Sequence, residues 1–269
     1  MKNKIFNGQI SGRKEIQGED KIRFDCHPGV ACFTRCCKDA DMYLYPYDII
    51  RMKNRLGISS DRFLKHYVIQ AIRDNPYFPS LMLKMSDDED KSCPFLSPEG
   101  CTIYKDRPFS CRAYPLERAV ARSGDENGRK VLYFIMRHDH CLGHKESREW
   151  TVTEWIQDQQ IELYNEMNDL WVDIDSMFRS NPWGSQGIDS SALKMAFMAC
   201  FNVDEFKNFI FESTFLSRFD LPSERIEKLK ASDVELMKFG FDWTMFFLTG
   251  SGPLFLTHSK KDELVKSQN

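Results

Sequence analysis

The chain is 269 residues long, with 42% hydrophobic and 13% aromatic residues. That is enough to bury a core in one domain or two, without the disulfide staples of a small secreted module. Its 37 Lys and Arg against 40 Asp and Glu leave a net charge of −3, which gives no general attraction to nucleic acid or to an anionic membrane. Met1 to Phe24 holds no apolar run of signal-peptide length and no stretch of the sequence reaches membrane-span length, so the expectation is a cytoplasmic protein with no membrane and no nucleic-acid partner.

Residues 1–20 read as a flexible polar lead-in. Pro46-Tyr47-Asp48 opens a helix in which Ile49, Ile50, Met52 and Leu56 recur at helical spacing, and Gly57 terminates it. Ser59 or Ser60 caps a second helix through Phe63, Leu64, Tyr67 and Val68. Leu81 to Met85 is short and apolar, a strand. Leu116 to Arg122 and Lys130 to Arg137 flank the turn residues of 123–128, which is a hairpin signal.

Beyond Cys141 the composition changes, and all five tryptophans lie there. Thr151-x-x-Glu154 is a capping box that opens one helix carrying Trp155, Ile156, Leu163, Met167, Leu170 and Trp171. Asn181-Pro182-Trp183-Gly184 breaks the pattern. Further helices are expected near 190–201, 203–217 and 222–239, with Ser232-x-x-Glu235 recapping the last and carrying it to Leu248. Residues 257–269 read as a frayed tail.

Eight of the nine cysteines fall in one stretch: Cys26, Cys32, Cys36, Cys37, Cys93, Cys101, Cys111 and Cys141. A reducing compartment turns such clustering toward metal binding rather than disulfides. The first group, Cys26 to Cys37, has spacings that let one loop wrap several sulfurs around a centre. The second group sits beside Pro, Gly and Arg, residues that set tight turns and place positive charge near thiolates. Cys141 closes the set within His138-Asp139-His140-Cys141-Leu142-Gly143-His144. Zinc takes four ligands per ion, so eight sulfurs fit two closed sites. A 4Fe–4S cluster takes four cysteines, so eight fit two clusters, or one cluster and a zinc. Adjacent Cys36 and Cys37 suit a polynuclear site better than two isolated zinc sites. His27, His138 and His140 are the histidines to test as ligands. Cys200, in an apolar run, reads as a buried small hydrophobe.

Cys-x3-Cys-Cys, Cys-Pro-Phe-Leu, Gly-Cys-x-Ile-Tyr and Arg-Pro-x-x-Cys-Arg-x-Tyr-Pro occur in that order. This pattern resembles the YkgJ-type cysteine-cluster family, described as chelating zinc or iron and related to bacterial flagellin lysine N-methylases. The resemblance implies a bacterial, cytoplasmic metalloprotein. Through the methylases it also implies an iron–sulfur cluster used with S-adenosylmethionine to methylate a protein side chain.

The expected architecture is α+β and mainly helical, with a small antiparallel sheet, cysteine-bearing loops and a helical C-terminal half. Residues 21–145 form the cysteine-cluster metal-binding domain, and 146–256 a helical region packed on it. The expected function is a metal-binding protein holding one iron–sulfur cluster or two (4Fe–4S favoured), or zinc. The enzyme class this opens is a lysine N-methylase-like transferase with a protein substrate. The alternatives are a non-catalytic zinc-stapled module that engages a protein partner, and an iron carrier or sensor.

Overall fold

The computed structural model describes residues 5–6, 9–10, 14–122 and 129–257. The fold is α+β: nine α-helices and several small antiparallel sheets occur among the described residues, and helices fill the C-terminal half. The chain divides into two compact units made of interleaved segments. One unit takes residues 1–40, 85–102 and 109–164, the other 41–84, 103–108 and 165–269. All eight clustered cysteines belong to the first unit, and Cys200 to the second.

In the first unit, the expected hairpin forms between Leu116–Arg122 and Arg129–Ile135, with Leu116 opposite Ile135. Its turn, 123–128, lies outside the described residues. Glu15–Ile16 adds a third strand beside Arg129–Ile135. Lys21–Arg23 pairs with Glu149–Thr151. Strand alternation sends Ile22 inward, 2% exposed, and leaves Lys21 and Arg23 outside. Ile22 joins Ile16, Phe24, Leu116, Val152, Trp155 and Ile161 in one core. Each such buried large side chain contributes about 1.5–3 kcal/mol. The Trp155 indole N–H donates to the Ala113 carbonyl at 3.1 Å, so its one polar group is satisfied inside that core.

The capping box forms as expected. Thr151 Oγ1 accepts from the Glu154 amide at 3.0 Å, and Glu154 Oε2 accepts from the Thr151 amide at 2.7 Å. The single helix expected after it is, however, two: Val152–Asp158 and Ile161–Phe178. Gln160 sits between them with φ 53°, a left-handed conformation that stops a helix. The Gln159 carbonyl, freed at the break, accepts from Arg112 Nη1 at 2.6 Å. A buried guanidinium thus satisfies the end of the first helix.

In the second unit, Pro46–Leu56 is helical and stops at Gly57, whose φ of 64° favours glycine. Ser59 caps the helix Ser60–Tyr67. That helix stops one residue short of the expected Val68, because Val68–Ala71 pairs with the strand Ser80–Leu83. Tyr43–Leu44 lies on the other side of Ser80–Leu83. Four further helices follow: Ser191–Phe201, Val203–Phe211, Ser223–Ala231 and Asp233–Thr249. The second ends at Phe211 rather than near 217. Ser232 caps the last, accepting from the Glu235 amide at 3.3 Å. Phe78 stacks on Phe178 at 4.0 Å in an aromatic core with Trp171, Trp183 and Phe201. No helix among the described residues is long and apolar enough to cross a membrane.

Candidate metal centre

The first cysteine loop is a run of tight turns. Val30 N–H bonds the His27 carbonyl at 3.0 Å, Phe33 that of Val30 at 2.8 Å, Arg35 that of Cys32 at 2.9 Å, and Cys37 that of Thr34 at 2.9 Å. Thr34 is left-handed at φ 65°, and Arg35–Cys37 is a short 3-10 helix. Four successive turns shorten the segment that carries Cys32, Cys36 and Cys37. Val30, 5% exposed, anchors the loop inward.

Hydrogen bonds then fasten Cys93, and the segment that carries Cys141, to this loop. Cys93 N–H donates to the Cys37 carbonyl at 2.7 Å, and Asp39 N–H to the Lys91 carbonyl at 3.0 Å. Lys38 and Asp90 close the same seam with an ion pair at 2.5 Å. Cys101 pairs with Leu96 in a two-residue hairpin. Gly100 enables that turn at φ 118°, where a Cβ would also stand 3.3 Å from the Phe33 ring. Cys111 rides on the short helix Phe109–Ala113. Cys141 N–H bonds the His138 carbonyl at 2.9 Å, and the next amide, Leu142, donates to Cys32 Sγ at 3.1 Å. The first and last cysteine loops therefore meet. Gly143 makes this contact tight, since a Cβ there would stand 2.5 Å from the Asp25 carbonyl oxygen.

None of the nine cysteines forms a disulfide. Cys26, Cys36 and Cys111 are exposed, while Cys32, Cys37, Cys93, Cys101 and Cys141 are half-buried. A hydrogen bond donated to Cys36, then burial, then the charges of Cys36, Cys111 and Cys93 push the Cys37 thiol far up. Burial raises Cys93, and the charges of Cys101 and Cys36 add to that against a lowering hydrogen bond from the Phe95 backbone. These five sulfurs are close enough to repel one another as thiolates. A metal cation among them would supply the missing positive charge. Among the described residues, no three or more His, Cys, Asp or Glu side chains already stand as a ligand set. The soft sulfur donors fit zinc or iron by chemistry, and the side chains must deprotonate and turn inward to coordinate either.

The histidines have other occupations. His27 Nδ1 accepts from the Gly29 amide at 3.1 Å, and its Nε2 faces Glu146 at 3.8 Å. His138 stacks between Tyr114 and His140, with ring centroids at 5.5 and 5.4 Å. Tyr114, without an assigned role in the sequence, joins the site together with His144, one of the four histidines that lie within three residues of a cysteine. The Tyr114 hydroxyl bonds His144 Nε2 at 3.1 Å and also hydrogen-bonds Cys141. Burial first, and then Cys141, push the Tyr114 phenol up. Burial and the charge of Arg137 push His144 down. Tyr114 lies in the Arg-x-Tyr-Pro motif, which was the available signal, whereas nothing in the sequence pairs it with His144. Arg112, one of the arginines beside the second cysteine group, bonds the Gln159 carbonyl and lies 4.8 Å from the Tyr164 ring centroid. Cys200 is fully buried, 3.8 Å from the Thr244 hydroxyl, and burial pushes its thiol up to about 12.

Turn-rich loops thus carry eight thiols in one unit. Residues 25–142 match the family model CxxCxxCC, described as "Putative zinc- or iron-chelating domain". No curated protein and no solved structure matches the chain.

Proposed function

We propose that the first unit binds iron–sulfur through Cys26, Cys32, Cys36, Cys37, Cys93, Cys101, Cys111 and Cys141, eight sulfurs that serve two 4Fe–4S clusters or one cluster and a zinc, with 4Fe–4S favoured over zinc alone. One observation carries this reading: eight cysteines from distant segments gather in one compact unit, and the ninth does not. The mutual contact of Cys36 and Cys37, within electrostatic reach of Cys93 and Cys111, suits a polynuclear site. Bound there, the cluster would supply one-electron chemistry. The chain's part is to tune the sulfurs: the Leu142 amide donates to Cys32, and the Tyr114 hydroxyl hydrogen-bonds Cys141. The exposure of Cys26, Cys36 and Cys111 favours a reactive or exchangeable centre over a closed structural staple. For an enzyme, the activity this reading puts first is S-adenosylmethionine-dependent methylation of a protein partner.

The test is anaerobic purification followed by iron, sulfide and zinc analysis and visible absorption. The expected result is a brown protein with bound iron and acid-labile sulfide. A colourless protein with stoichiometric zinc and no sulfide would overturn the iron–sulfur reading.

A further inference from the structure

The first unit carries a surface depression of about 350 Å³ lined by Lys21, Arg23, Arg137, His144 and Glu149, with Ile135 on its wall. Lys21 and Arg23 share the exposed face of one strand, two residues apart. Glu149, opposite Arg23 on the paired strand, is divided between them, 3.5 Å from Lys21 and 3.3 Å from Arg23. Arg137 has no carboxylate partner among the described residues. Three cations against one carboxylate leave two positive charges in one concavity, in a chain whose overall net charge is −3.

That surplus matches a phosphate monoester, which carries about −1.5 to −2 near neutral pH, better than a single carboxylate. Guanidinium forks bind phosphate oxygens in pairs, and two arginines are present. The volume lies at the small end of ligand pockets, about 300–1,000 Å³. We propose that this depression binds the phosphate group of a small phosphorylated molecule through Lys21, Arg23 and Arg137. It is separate from the metal reading and stands whichever metal the cysteines hold.

Calorimetric titration of the full chain as purified, at low salt, with phenyl phosphate, inorganic phosphate and acetate tests it. Both phosphates should bind saturably, about tenfold or more tighter than acetate. Arg137→Ala should weaken phosphate about tenfold or more with an unchanged melting temperature. Glu149→Gln should tighten it by removing the competing carboxylate, a gain that a merely structural role would not give. Arg62→Ala, an exposed change in the other unit, should leave binding unchanged. Absence of saturable phosphate binding, acetate bound equally well, or wild-type affinity in Arg137→Ala overturns the proposal. An oligonucleotide binding about tenfold tighter than phenyl phosphate overturns it in favour of a nucleic-acid backbone.

Discussion

Cys37 keeps its proton because Cys36 bonds it, burial disfavours its charge, and Cys111 and Cys93 lie near enough to repel it. Cys93 is raised too, by burial first. A thiol with a raised value stabilises the metal-free fold below the ordinary thiol range, near 9.0, and loses that contribution as pH rises through its folded value. Metal must displace these protons, so apparent affinity should climb with pH. A chelator-competition titration with zinc, from about pH 6 to about pH 8, should show at least one proton released per metal. Affinity independent of pH would show that these thiols are not the ligands. The cysteine types and their grouping were legible in the sequence, because spacing and turn residues are local. The Cys93 to Cys37 backbone bond and the Tyr114 to His144 contact were not. Neither leaves a periodic or compositional trace, since each joins residues far apart in the chain. The basic depression was hidden for the same reason, its charges coming from separate segments of a mildly acidic chain.

In the second unit, one ammonium fastens several helix ends. Lys53, 4% exposed near the end of Pro46–Leu56, lies 3.1 Å from Asp204 and 2.8 Å from Asp233. Asp204 also accepts from the Ser60 amide at 2.6 Å. Burial would raise Asp204, but the Ser60 N–H and Lys53 outweigh it and hold the carboxyl below its usual range. Its contribution is therefore present at neutral pH and lost as pH falls through that lowered value. Lys53→Met leaves two carboxylates facing an apolar stem. Urea unfolding should show a loss of about 3 kcal/mol, the low end for a broken buried pair because both carboxylates stay partly exposed. A change within about 0.5 kcal/mol would mean that the triad does not hold these helices. The helices themselves were readable from apolar period, the Thr151 box and the Gly57 stop. The break at Gln159–Gln160 was not, because no Gly, Pro or Asn marks it and the support comes from Arg112, distant in sequence. Val68 left its helix because pairing with Leu83 outweighed the local helical pattern.

Across the molecule, the cysteines divide between two chemical settings. Eight lie in the loop-rich first unit, and Cys200 is sealed in the helical second unit, where burial raises its thiol against a lowering hydrogen bond with Thr244. The interleaving of the two units means that proximity in sequence is a poor guide to which cysteines act together. Thr102 and Phe109 lie in the first unit, while the residues between them, 103–108, belong to the second. The central claim is that the eight thiols of one unit are the ligand set and the ninth is not. Its most direct measurement is thiol alkylation mapped by mass spectrometry, on the protein purified anaerobically with its metal and again after chelation. The eight clustered cysteines should resist alkylation until the metal is removed, Cys26, Cys36 and Cys111 included despite their exposed positions, and Cys200 should stay unreactive in both. Rapid labelling of the clustered cysteines in metal-bearing protein, or metal retained after they are labelled, would contradict the account.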